Sequence, residues 1–357
     1  MSQSHFSNPP QFLITSKILS SIGRIEAARE VIDNAPLIPT YERQFEKEAV
    51  VRTVHHATAL EGNSLNFTEV RKILEGGQDH GVVARERDVQ EVINYRKAIE
   101  LIDQLTTEGV KVISEDVIGR VNAVIAEKIV EAGHGGIYRR VSAISRNSAT
   151  LETSVVWPSP NEIPGLMRDL AGWLGSAGAG EMHPVLKAGI IHTWFVLIHP
   201  FEEGNGRTAR SLSTLSLSLD QYNIRNFFSL EEYYDSDAQH YYDSIMSVVK
   251  GEGDYTLWLE YFCEGLAIEY NRIKDRVLKL SRDVKIKEAV GGQIAISERQ
   301  EHIIEHLQNF GRLANSEFSK LFPDLSEDTV LREISDLIKK NIIVKRGKTK
   351  AARYELK

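Results

Sequence analysis

Twelve positions, His199 to Arg210 in HPFEEGNGRTAR, hold the side chains best suited to chemistry: an imidazole, a carboxylate at Glu203, a Gly204-Asn205-Gly206 turn, and guanidinium groups at Arg207 and Arg210. The two glycines let the backbone turn tightly enough for successive N–H groups to point into one concavity, and a helix opening near Arg207 adds its positive end. That makes a nest for an anion. Arg207 and Arg210, three apart on one helical face, can clamp further phosphate oxygens. Glu203 beside bare phosphate would be repelled, and a divalent cation such as Mg²⁺ resolves this by binding one carboxylate, phosphate oxygens and waters. His199 titrates near neutral pH and can accept a proton from an incoming hydroxyl. The combination predicts nucleotide-dependent transfer to a hydroxyl, with the oxygen attacking phosphorus in line while nest, metal and arginines hold charge. Each part alone has a bland reading as a turn, a surface pair or a solvated face; the conjunction carries the chemistry. Pro200 and Phe201 shape the turn and anchor it in the core.

Such a loop needs a rigid frame, and the sequence around it reads as helix. Apolar residues recur at helical spacing in YERQFEKEAVVRTVHHATAL, VQEVINYRKAIELIDQL and EDVIGRVNAVIAEKIV, so the protein is expected to be mainly α. Asn66 with Glu69 reads as a capping box opening a helix that Gly76-Gly77 closes, which places Glu61 and Gly62 at the end of the preceding helix. The departure is IYRRVSAISRNSATLETSVVWPSP, residues 137 to 160, rich in Val, Ile, Ser and Thr, with a turn signal at Arg146-Asn147-Ser148. It is expected to form a β-hairpin over about 137–158 that works as a flap.

A chain of 357 residues exceeds what one core usually organises, and 42% apolar with 26% charged residues is a globular composition. The net charge of -7 argues against nucleic-acid binding along the whole chain and confines any DNA contact to a local patch. The single cysteine, Cys263, cannot form an intramolecular disulfide, and the first residues lack a signal-peptide pattern. With no apolar run long enough for a bilayer, a cytoplasmic protein without membrane contact is expected. Four stretches follow: an N-terminal helical region over 1–100, a catalytic core over 101–275, a charged helical linker over 276–295 and a small module over 296–357. In that module Ser297 with Gln300 caps a helix ending near Gly311, SEFSKLF and SEDTVLREISDLIKKN give two more, and two strands flank Arg346-Gly347. That order suggests a winged helix-turn-helix domain. Residues 297–357 carry twelve Lys and Arg against ten Asp and Glu, and Glu327, Asp328, Glu333 and Asp336 lie on its third helix. Acidic residues there repel DNA, so docking of a protein target is favoured over DNA binding.

The motif matches the signature of the Fic family, His-x-Phe-x-(Asp/Glu)-Gly-Asn-Gly-Arg-x-x-Arg, at every position: His199, Phe201, Glu203, Gly204, Asn205, Gly206, Arg207 and Arg210. The resemblance covers roughly residues 40 to 275 and implies a Fic-type helical core with the hairpin as its flap. It also implies a protein adenylyltransferase moving AMP from ATP to a Ser, Thr or Tyr hydroxyl of a target protein, with pyrophosphate released. His199 would be the base, Glu203 the Mg²⁺ ligand, and Gly204, Asn205 and Gly206 the cradle of the α- and β-phosphates. Arg207 and Arg210 would hold the outer phosphates. Relatives that act as kinases carry lysine where this chain has Gly206, which favours AMP transfer, while phosphocholine or UMP transfer stays open because the signature alone does not fix the donor.

ATALEGN, residues 57 to 63, resembles the inhibitory helix of Fic proteins, (Ser/Thr)-x-x-x-Glu-(Gly/Asn). It implies that Glu61 pairs with Arg210 and blocks the γ-phosphate. The chain departs from the pattern at Ala57, with the hydroxyl on neighbouring Thr58. The resemblance further implies that the target pairs its backbone with the hairpin edge around residues 141 to 156. Among the tyrosines of EEYYDSDAQHYYDSI, Tyr234 and Tyr241 are expected in the adenine pocket. Two alternatives stand beside AMP transfer: removal of AMP, with Glu61 placing a water, and a winged-helix transcription regulator that uses the site as a nucleotide sensor. A homodimer is left open.

Overall fold

A computed structural model describes residues 9–35, 39–76, 81–146, 153–223, 227–289, 297–323, 325–340, 342–347 and 352–357. The chain divides into two compact units, Met1–Val277 and Leu278–Lys357.

In the first unit the helices are α1 Ser16–Asp33, α2 Pro39–Ala59, α3 Phe67–Gly76, α4 Glu86–Thr107 and α5 Glu115–Ile125. After a hairpin of β1 Ile144–Arg146 and β2 Thr153–Val156 come α6 Ile163–Leu174, α7 Ala177–Glu181, α8 Pro184–Ile198, α9 Asn205–Leu219, α10 Leu230–Ser236 and α11 Ala238–Lys250. The long helix α12, Thr256–Ala289, begins in this unit and crosses the division.

The frame is built around α8. Its sequence PVLKAGIIHTWFVLI is apolar on nearly every side, so it is buried all round, from Val185 to Ile198. Pro184 takes the first-turn place where its missing N–H costs nothing, and the helix stops because His199 adopts a left-handed conformation, φ 51°. α8 packs most extensively on α9, while α4 lies against α5 and α9, and α2 against α10 and α4. The capping box read from Asn66 and Glu69 is present: Asn66 N–H donates to Glu69 at 2.9 Å and Glu69 N–H to Asn66 Oδ1 at 3.1 Å.

The hairpin is shorter than the sequence suggests. Its strands pair antiparallel from Ile144 opposite Val156 to Arg146 opposite Thr153, with a register shift after Ser145. Asn147 and Ser148 of the expected turn lie outside the described residues. Residues 137–143 do not continue the first strand, because Arg139 is buried and its guanidinium is spent on backbone carbonyls described below.

The second unit contains α13 Glu298–Phe310, β3 Leu313–Ala314, α14 Phe318–Leu321, α15 Glu327–Lys339, β4 Ile343–Arg346 and β5 Arg353–Leu356. The Ser297 and Gln300 capping box and the left-handed Gly311 delimit α13. The segment expected as a second helix is a single 3-10 turn, Asn315–Glu317, followed by the four residues of α14. A third strand escaped the sequence: β3 pairs β5, giving the order β3-β5-β4, and two residues are too few for an alternation to register. Ile303, Phe318, Val330, Ile334, Leu337 and Tyr354 fill its core. Glu333 and Asp336 do not project as a free acidic face: Glu333 accepts from Ser297 at 3.1 Å and Asp336 from Gln300 at 2.8 Å. The exposed stripe of α15 is Asp328, Arg332, Ser335 and Lys339.

Candidate active site

The motif loop joins α8 to α9 and is bracketed by two left-handed residues, His199 and Gly204, φ 75°. Positive φ is uncommon for any residue with a Cβ, so the strain at His199 marks a place that packing over-determines. At Gly204 the absence of a Cβ matters twice, since one would also lie 2.6 Å from Ile125 Cγ2. Asn205 closes the loop from within: Phe201 N–H donates to its Oδ1 at 3.0 Å and its Nδ2 donates to the Phe201 carbonyl at 2.8 Å. The side chain of Asn205 is therefore spent on the turn, and what it can offer an anion is its backbone N–H. Thr208 N–H already serves the Gly204 carbonyl, which leaves the first turn of α9 without intrahelical partners for its N–H groups. The nest opens there.

Arg207 and Arg210, each at most 2% exposed, sit on the inner face of α9. Glu61, in the turn after α2, reaches both: its Oε2 accepts from Arg207 Nε at 2.7 Å and its Oε1 from Arg210 Nη2 at 2.8 Å. Sequence reasoning expected the second contact and missed the first. Burial alone would raise the Glu61 carboxyl, but the charges of Arg207 and Arg210 outweigh it and hold the group below its ordinary value. Arg210 also donates to the Ala57 carbonyl at 2.9 Å. The position that lacks the pattern's hydroxyl thus contributes its backbone, while Thr58 donates its hydroxyl to the Val54 and His55 carbonyls within α2. A Cβ on Gly206 would come within 2.7 Å of Glu61 Oε1, so the bare Cα is what lets the carboxylate seat. Two buried guanidinium nitrogens, Arg207 Nη1 and Arg210 Nε, have no acceptor among the described residues.

Charges alternate along the cleft. Glu203 pairs with Arg87 at 3.1 Å, Arg87 with Glu91 at 3.2 Å, and Glu91 with Arg207 at 3.5 Å, where Glu61 and Arg210 continue the series. Asn63 donates to Glu91 at 2.9 Å and ties the turn carrying Glu61 to α4.

The His199 imidazole lies flat on Trp157, ring centroids 4.3 Å apart and planes 8° from parallel. Its Nδ1 is enclosed in the protein, which leaves Nε2 as the nitrogen a hydroxyl can reach. Burial, helped by the Arg139 charge, lowers its pKa to about 4, against the opposing pull of the Val196 carbonyl and Glu61. At neutral pH the ring is a free base.

Tyr234 and Tyr241 correct the sequence expectation. Both are 1% exposed and stack on each other at 4.6 Å, and the Tyr241 hydroxyl bonds His192 Nε2 at 2.8 Å. They form core behind Arg210, not the wall of an open pocket: Tyr234 on α10 and Tyr241 on α11, either side of the break at Asp237, both turn their rings onto His192. The next residue, Tyr242, is the exposed one, at 45%, and its hydroxyl donates to the Leu60 carbonyl at 3.0 Å, one residue before Glu61.

With this geometry in place, a family model for the Fic/DOC family matches residues 104–217. Residues 104–217 carry a Fic domain. The protein adenylyltransferase Fic of Culex quinquefasciatus is 26% identical over 288 residues, which are 78% of this chain and 52% of its own length. That of Aedes aegypti is 28% identical over 198 residues, 53% and 36% of the two chains. The chain thus spans about half or less of the curated relatives it matches. Among solved structures, a Fic family protein from Desulfovibrio desulfuricans shares the fold with a TM-score of 0.64 at 21% identity over 98% of both chains. Fic-1 from C. elegans does so at 0.58 and 24% identity over 74% of each.

The matched stretch of the Fic domain contains the whole motif, whereas Glu61, Arg87 and Glu91 come from outside it. Two buried polar residues inside it were not read from the sequence. Asn122 on α5 donates to the Glu203 carbonyl at 3.0 Å and accepts Gly136 N–H at 3.0 Å, bracing the loop from below. Arg139 donates from Nε to the His199 carbonyl at 2.8 Å, from Nη1 to Val141 O at 2.9 Å and from Nη2 to Pro158 O at 2.6 Å. A lone asparagine or arginine leaves no periodic signal; only the fold shows what it holds.

Proposed function

We propose that this protein is an adenylyltransferase that moves AMP from ATP to a Ser, Thr or Tyr hydroxyl of a target protein, and that Glu61 holds it off. The observation that carries the reading is convergence: an enclosed, neutral His199, the open helix end at Gly204 to Gly206, and two buried arginines with N–H groups still unspent. Donors already aimed and desolvated stabilise charge that develops in a transition state without reorganising.

In this reading the target hydroxyl gives its proton to His199 Nε2 as its oxygen bonds to the α-phosphorus. The bond from that phosphorus to the bridging oxygen of the β-phosphate breaks, and pyrophosphate leaves with the electron pair. Nest N–H groups hold the α- and β-phosphates, and Arg207 and Arg210 take the outer oxygens in bidentate contacts once Glu61 withdraws. Among the described residues no cluster of three or more His, Cys, Asp or Glu could hold a metal alone. Glu203, a partly exposed carboxylate beside the nest, fits Mg²⁺ that takes phosphate oxygens as its other ligands. Bound there, it would neutralise charge on the phosphates, and Arg87 would have to give up Glu203.

Glu61 spends both oxygens on arginines, which supports a brake over a residue that positions water for AMP removal. The second unit is read as a winged-helix module that recruits a protein target. Among the described residues no helix is long and apolar enough to cross a membrane. Incubation with α-labelled and γ-labelled ATP tests the reaction: label transferred from α only, and lost in His199→Ala, is the expected result. Transfer from γ, or nucleotide binding with no His199-dependent label, would reject it.

A further inference from the structure

The base and the flap are fastened to each other. Trp157 directly follows β2, and its N–H donates to the carbonyl of Ala143, directly before β1, at 3.3 Å, so the indole stands at the root of the hairpin. The same indole is the surface on which the His199 ring lies, at 4.3 Å and 8°. Arg139 repeats the link through the backbone. One guanidinium holds the His199 carbonyl, the Val141 carbonyl on the way into the hairpin and the Pro158 carbonyl on the way out, while Arg139 N–H donates to Pro200 O at 2.9 Å. Nothing in the adenylyl-transfer reading as set out above uses Trp157.

An imidazole with an enclosed Nδ1, which meets at most the Val196 backbone carbonyl, keeps freedom about its side-chain torsions, since no carboxylate fixes its plane as one does in a Ser-His-Asp arrangement. A rigid aromatic face at stacking distance supplies that constraint by packing. We infer that Trp157 is a positioning residue for the catalytic base: it sets the plane of the His199 ring so that Nε2 faces the incoming hydroxyl, and it makes the ring's aim depend on the seating of the hairpin root. A target strand laid along the hairpin would then steady the base that deprotonates its own hydroxyl. Arg139 fixes the backbone at His199 and at Pro158, next to Trp157, and Trp157 fixes the side chain.

This rests on the reading of His199 as the base, and the experiment separates the two. Trp157→Leu and Trp157→Phe are made in the Glu61→Gly background, where transfer is measured without the brake, and in each the His199 ring is followed by NMR titration, which needs no turnover. Leucine keeps an apolar side chain and removes the aromatic face. The expected result is kcat lowered roughly ten- to a hundredfold with KM for ATP unchanged. In the same variant His199 titrates closer to the ordinary histidine range, and phenylalanine restores both. If Trp157→Leu leaves kcat and the His199 titration as they were, or lowers kcat only through loss of folded protein, the inference is overturned. If no variant transfers AMP but the titration still moves with leucine and returns with phenylalanine, the packing role stands and the transfer reading fails.

Discussion

Glu61 seats against the bare Cα of Gly206, so close that a Cβ there would stand 2.7 Å from its Oε1, and from that seat it closes on two buried arginines at 2.7 and 2.8 Å. Removing one partner of a buried ion pair typically costs about 3–5 kcal/mol because the other charge is left uncompensated. Glu61→Gly is therefore expected to raise self-modification with labelled ATP and at the same time to lower Tm without nucleotide. ATP should raise Tm more in the variant than in the wild type, since it replaces the missing counter-charge. Equal Tm and equal response to ATP in the two proteins would mean that Glu61 does not hold the arginines in solution.

Tyr242 latches the turn that carries Glu61 through its hydroxyl bond to the Leu60 carbonyl. Such a bond is worth about 1 kcal/mol, which shifts the lock by roughly fivefold. Tyr242→Phe should raise transfer by up to about that factor, and by nothing when Glu61 is already glycine. A rise of the same size in both backgrounds would place the effect elsewhere.

Four histidines, His55, His183, His192 and His199, have their pKa lowered, each with burial as the first cause. In the unfolded chain they titrate near 6.5, so below that pH the unfolded state binds more protons and stability falls. The loss begins as pH drops through about 6.5 and continues toward 4, the value for His199. Urea midpoints at stepped pH should decline through that window, and His192→Gln should make the decline shallower. A flat profile from pH 7.5 to 5 would refute the assignment. Because His199 is already neutral well above 4, transfer by the unlocked enzyme should vary little between pH 6.5 and 8.

The second unit offers a direct choice of partner. Glu333 is held by the Ser297 hydroxyl and Asp336 by Gln300 and Lys340, so one of the four carboxylates that argued against DNA is charge-paired, while Glu327 and Asp328 remain exposed at the start of α15. Protein docking predicts no retardation of duplex DNA by the full-length chain at physiological salt. A clear shift that weakens steeply with added salt would instead assign the unit to DNA.

What the sequence made legible was contiguous. His199, the glycine turn and the two arginines lie within twelve residues because a loop leading into a helix N-terminus is a local structure. The carboxylate at 61 was found through its pattern, but its hold on Arg207 was not, because that depends on how α2, α4 and α9 meet. Arg87, Asn122 and Arg139 carry no periodic mark. The tyrosines show how little separates a right face from a wrong one: one residue, about 100° around a helix, divides buried Tyr241 from exposed Tyr242. The hairpin was legible as composition but not in extent, since Arg139 withdraws the preceding residues from strand pairing.

The alternating series from Glu203 to Arg210 has a last consequence. Three carboxylates, at 203, 91 and 61, stand against three guanidinium groups, at 87, 207 and 210. At rest these six charges cancel, and seen from a distance the series exerts little pull on a polyanion. Lifting Glu61 away leaves an unbalanced positive cleft with low-dielectric walls, whose field gathers nucleotide from solution and weakens as salt is added. In the proposed reading Glu61 then acts before contact as well as after it, on the rate at which ATP arrives.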